Sequence, residues 1–104
     1  MIATARWPQP DGAMHGDESA LEELRERVAA IDAQLVALLA ERQETARAIG
    51  AVKRAAGRPV LDPAREAAVL RRATELARGH GLDEDEVRDL WRKLLAMARR
   101  SQAV

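Results

Sequence analysis

Arg25, Arg42, Lys53, Arg65, Glu66 and Gln102 are the residues of this chain whose types and spacing could do chemistry. Arg42 stands four residues after Leu38 and seven before Ile49, on a row where helical spacing otherwise supplies aliphatic side chains. Lys53 follows Ile49 by four at the edge of that row, and Arg25 follows Leu21 by four on its flank. Glu66 is in line with Leu70, Ala73 and Ala77, and Gln102 comes seven residues after Leu95. Arg65 is the least expected. It falls in the first turn of a helix opened by Asp62-Pro63, where the positive end of the backbone dipole disfavours a cation. An anion lying near that helix start accounts for it. Directed inward together, these side chains hold a small polyanion. The sequence pairs no nucleophile with a general base and carries no cofactor fingerprint, so the chemistry that fits is positioning and electrostatic stabilisation.

Each of these residues also has an ordinary explanation. A buried arginine without an anionic partner is very costly, so Arg42 could instead end the apolar row, snorkel to solvent or join an internal salt bridge. Lys53 suits a helix C-terminus, Glu66 suits a first turn, Arg25 suits a solvated flank, and Gln102 suits a frayed end. The histidines, His15 and His80, fall in a tail and a turn, and neither is set for a metal site or a Ser–His couple. With no cysteine there is no disulfide, thiolate nucleophile or Cys-based metal site.

The elements that must position these groups are helical. Leu21, Leu24, Val28, Ile31, Leu35 and Leu38 alternate spacings of three and four, a heptad-like seam that continues through Arg42, Thr45, Ile49 and Val52. It predicts one long helix over about residues 18–56, with Ser19 and Glu22 offering a capping box and a start a few residues earlier left open. Some 35 residues make a helix on the order of 50 Å long, more than two short helices of the same chain can cover, so a partner subunit is expected along the rest. Gly57 and Pro59 end this helix. Asp62 as N-cap and Pro63 at the first helical position open a second, over 63–78. Gly79-His80-Gly81 stops it. Asp83 with Glu86, and Leu82 with Val87, cap and staple a third over 84–102, whose apolar face is Val87, Leu90, Trp91, Leu94, Leu95 and Ala98. No strand pattern or internal repeat is visible, and the fold class is all-α.

The 104 residues suffice for one small domain. Apolar residues make up 47% and charged residues 33%, with two Trp and neither Phe nor Tyr, so the core is thin and oligomerisation is expected to add burial. Seventeen basic residues balance seventeen acidic ones, which argues against nonspecific nucleic-acid or anionic-membrane binding. Residues 1–17 read as a flexible tail with no apolar run long enough for a signal peptide or membrane span. Met14 could be a natural start, and Trp7 reads as an accidental exposed aromatic more readily than as a docking anchor. The domain proper is 18–104, expected in the cytoplasm.

The run LRERVAAIDAQLVALLAERQETARAIGAVKRAAGRPVLDPARE, with its L-R-x-x-[IV]-x-x-[IL]-D, L-x-x-R, G-x-x-K and P-V-x-D-x-x-R-E spacings, resembles the all-α chorismate mutases of the AroQ class. The likeness extends from about residue 20 to residue 102, and the joint occurrence of the motifs makes it specific. It implies an intertwined homodimer in which each long first helix spans both halves. It also implies a Claisen rearrangement of chorismate to prephenate, on the way to phenylalanine and tyrosine, without cofactor or metal. By this resemblance Arg42 and Arg65 hold the two substrate carboxylates, with Arg25 reaching in from the other subunit. Lys53 and Gln102 donate to the ether oxygen, Glu66 accepts from the ring hydroxyl, and Asp62 lies on the hydroxyl side. Asp32 belongs to the motif without a catalytic role. Gln102, an amide, needs no proton uptake, so activity is expected to persist at neutral pH.

Ala98 departs from the pattern where some relatives carry a Ser near a carboxylate. Other functions compatible with the resemblance are rearrangement of 4-amino-4-deoxychorismate, with its amine opposite Glu66, and isochorismate pyruvate lyase, against which the D-x-x-R-E run argues. A non-catalytic helical dimerisation module is compatible with the heptads but does not require Arg65, Lys53 and Gln102 together, and the full set also argues against a regulatory pseudoenzyme. Many members of the family are fused to or activated by another shikimate-pathway enzyme, so a free-standing protein or one partnered in trans is expected here.

Overall fold

A computed structural model describes residues 17–103. They form three helices, α1 (Asp17–Ala55), α2 (Pro63–Gly79) and α3 (Glu84–Gln102), with no strand among the described residues. The expected tail, with Trp7, Met14 and His15, lies outside the described residues except for Asp17, which opens α1. Ser19 therefore lies inside the first turn of α1, and the helix starts a few residues before the capping box, the alternative that the sequence left open. Asp17 and Glu18 place negative charge on the first turn, as the helix dipole favours. The chain divides into two compact units, one ending at Ala37 and the other beginning at Leu38.

The unit from Leu38 onward contains the end of α1 with α2 and α3, and α2 and α3 pack against each other. Its buried apolar residues are small: Ala46, Ala73, Ala77 and Ala98 with Leu94 and Leu95. Among the described residues no large side chain is fully buried, so close backbone approach replaces bulk as the packing device. α1 stops where Gly57 takes a left-handed φ of 68°. The Arg58 N–H then donates to the Lys53 carbonyl at 2.8 Å and the Gly57 N–H to the Arg54 carbonyl at 3.1 Å, the paired bonds of a Schellman stop. Asp62 caps α2 by accepting the Arg65 N–H at 3.1 Å, and Asp83 caps α3 by accepting the Glu86 N–H at 2.9 Å.

In the unit ending at Ala37 the apolar seam of α1 is uncovered. Leu21, Val28, Ile31, Leu35 and Val36 are all exposed, Ile31 at 40% and Val36 at 65%. Past Ala37, Leu38, Ile49 and Val52 continue the exposed row. None of the described helices is long and apolar enough to cross a membrane.

Candidate active site

The unit from Leu38 onward encloses a cavity of about 440 Å³ between the end of α1, the start of α2 and the end of α3. Arg42 and Lys53 enter it from α1, Asp62, Arg65 and Glu66 from the α2 start, and Gln102 from the last turn of α3. Six of the seven residues singled out in the sequence are thus brought together. The seventh, Arg25, is an exposed residue of the unit ending at Ala37.

The short link between α1 and α2 places the first groups. After the stop at Gly57 the chain turns through Pro59 and Val60, and Pro63 starts the next helix with its φ already set. The Lys53 ammonium donates across this link to the Val60 carbonyl at 3.1 Å. The Asp62 carboxylate is engaged by the Arg65 backbone N–H, so the cap and the cation it precedes are parts of one turn. Arg42 is half-buried and Arg65 exposed. Among the described residues neither guanidinium has a carboxylate within ion-pair distance. The internal salt bridge that could have explained Arg42 is not formed there.

The last turn of α3 is seated on Gly50 of α1. A Cβ at position 50 would stand 2.5 Å from the Gln102 carbonyl oxygen and 2.7 Å from its Cα. Only glycine permits that approach. Arg54 donates to the Gln102 carbonyl, and Gln43 donates to the Ser101 hydroxyl at 2.6 Å and to the Met97 carbonyl at 3.3 Å. This end of α3 is therefore fastened to α1 and not frayed. It sets the Gln102 Oε1 to accept from the Lys53 Nζ at 3.4 Å. With Oε1 so engaged, the Gln102 Nε2 remains as a donor beside the ammonium.

Three further groups meet at the site. Arg99 lines the cavity and donates to the Glu66 carboxylate at 2.5 Å; its spacing, four after Leu95 and three before Gln102, was a signal that it shares their face. Gly50 was visible as the one glycine within the long helical run, but its contact depends on where α3 ends. The Val60 carbonyl, a backbone group, left no trace in residue types. Ala98 is buried against the cavity. The arrangement offers cations for carboxylates, two adjacent N–H donors for an oxygen that gains negative charge, and a carboxylate acceptor.

The family model for chorismate mutase type II matches residues 24–103. The bifunctional chorismate mutase/prephenate dehydratase of Escherichia coli (strain K12) is 40% identical over 78 residues, 75% of this chain and 20% of that protein. The chorismate mutase of Methanocaldococcus jannaschii is 34% identical over 65 residues, 62% of this chain and 66% of that protein. The T-protein of Haemophilus influenzae is 33% identical over 76 residues, 73% of this chain and 20% of that protein. The chain thus spans about a fifth of the length of the bifunctional relatives it matches.

Proposed function

We propose that this chain, which belongs to the chorismate mutase type II family, rearranges chorismate to prephenate. The observation that carries the proposal is the pairing of Lys53 Nζ and Gln102 Oε1 at 3.4 Å in a cavity that Arg42 and Arg65 also line. Chorismate has two carboxylates, a ring hydroxyl and an ether oxygen, and the cavity offers a partner for each. Arg42 and Arg65 clamp the carboxylates and select the compact conformer in which the two carbons to be joined meet. The carbon–carbon bond forms as the ether C–O bond breaks, within one molecule. The ether oxygen gains negative charge on the way, so the Lys53 ammonium and the Gln102 amide bind it more strongly in the transition state than in the ground state. Glu66 accepts from the ring hydroxyl, with Asp62 on the same side.

The working form is a homodimer in the cytoplasm. α1 has 39 residues against 17 and 19 in α2 and α3, and its exposed seam suits a second copy. In that dimer Arg25 enters the partner's cavity as a further carboxylate ligand. The test is direct: purified protein is mixed with chorismate, and loss of substrate absorbance is followed together with formation of prephenate. Conversion at neutral pH is expected, and a chain that leaves chorismate intact over the spontaneous rate is not this enzyme.

A further inference from the structure

The ion pair between Arg99 and Glu66 has no part in the rearrangement just described, yet both residues line the cavity. We infer that Arg99 is a specificity-determining residue, which sets the Glu66 carboxylate to accept from a neutral hydroxyl and turns away an ammonium at the same ring position. The inference rests on the mutase proposal and sharpens its substrate class from chorismate-like acids to those with an uncharged 4-substituent.

Two observations support it. The Arg99 Nη1 stands 2.5 Å from the Glu66 Oε1, so one carboxylate oxygen already has a cationic donor and the other is left for the ring substituent. A hydroxyl there donates a hydrogen bond and needs no counter-charge. An ammonium needs the carboxylate's whole charge, and Arg99 has already matched it. The second observation is the charge of the cavity. Arg42, Lys53, Arg65 and Arg99 face Asp62 and Glu66, a formal excess of two positive charges, and in the proposed dimer the partner's Arg25 raises it to three. A dicarboxylate with a hydroxyl offsets two of these charges, whereas a dicarboxylate with an ammonium offsets only one. Arg99 thereby works as a repulsive element against the 4-amino analogue. Its side chain is 45% exposed, against 25% for Glu66, so solvent screens the repulsion and the discrimination is moderate and salt-sensitive.

The experiment compares kcat/KM for chorismate and 4-amino-4-deoxychorismate in wild type, Arg99→Gln and Arg99→Lys, at low and high salt. The wild type is expected to prefer chorismate, with a preference that shrinks as salt is added. Arg99→Gln should lower the chorismate-to-amino ratio by about tenfold, a size typical of one partly screened charge. Arg99→Lys restores the charge and should return most of the ratio, which a purely structural role for the arginine would not require. A ratio that is the same in wild type and Arg99→Gln overturns the inference while leaving the mutase activity standing. A wild-type ratio indifferent to salt also overturns it, without recourse to any variant. Wild-type protein that turns over neither substrate removes the mutase proposal and this inference together.

Discussion

The stretch from Asp17 to Ala37 and the stretch from Leu38 onward use the same aliphatic residues to opposite ends. In the second, alanines and two leucines close on each other and a cavity forms beside them. In the first, Leu21, Val28, Ile31 and Leu35 stand in regular helical spacing and stay exposed. The difference teaches that a periodic apolar row fixes a helix and the face it offers, but not what that face meets. One stretch satisfies part of its pattern within the chain, with Leu38, Ile49 and Val52 still exposed, and the other is an unfinished surface.

Four experiments break or sharpen this contrast. The largest effect belongs to Lys53→Ala, inside the stretch that forms the cavity. Loss of a donor at a developing oxyanion lowers kcat by about 10²- to 10³-fold, and sedimentation should show association unchanged. A variant that keeps wild-type kcat removes Lys53 from the chemistry. Next is Leu35→Asp in the exposed seam, 54% exposed in the single chain. In the proposed dimer, a charge placed in this apolar seam should weaken association by about 3 kcal/mol, roughly 10²-fold. Activity should fall in parallel with dimer loss, while helicity by circular dichroism stays high for the remainder. A fully active monomer would mean that residues 38–103 need no second copy.

Gly50→Ala tests how tightly the inner stretch is closed. The added methyl collides with the Gln102 backbone, so the last turn of α3 must shift, and a displacement of about 1 Å at a positioning group can lower activity by up to about 10²-fold. The fall should appear mainly in kcat, since Arg42 and Arg65, the proposed carboxylate clamps, stay in place, and unchanged kinetics would show that the α3 end does not set Gln102. The smallest effect concerns Glu84, which is held below the ordinary carboxylate range by its hydrogen bond from Arg78, with the arginine's charge adding to it. A depressed folded-state pKa contributes stability above the unfolded value and loses it as pH falls through the folded one. Glu84→Gln should therefore lower Tm slightly at neutral pH, and the difference should vanish once acidification protonates Glu84 in the folded protein. A gap that persists in acid would assign the effect to packing.

The all-α fold was legible because its signals are local. Asp62-Pro63 and Asp83 with Glu86 specify helix starts through bonds three residues long, and Gly57 specifies a stop through its own φ. Of the two starts the sequence allowed for α1, the one before Ser19 is realised, because Asp17 and Glu18 already suit the first turn. Arg65 was legible for a different reason: its charge runs against the local dipole, so a conflict marked it. Gly50 was not legible as a participant, and for Arg99 only the face it shares with Leu95 and Gln102 was. Their partners, Gln102 and Glu66, lie 52 and 33 residues away in sequence, and only the closure of α3 on α1 and α2 brings them together.

The contacts of Lys53 have one more consequence. An ammonium is a tripod of three N–H bonds. The Val60 carbonyl takes one leg and the Gln102 amide oxygen a second. Rotation about the terminal C–N bond is thereby arrested, and the third leg has a fixed heading before any acceptor arrives. An arginine at this position would keep the charge, but its flat fork cannot stand on the same two feet.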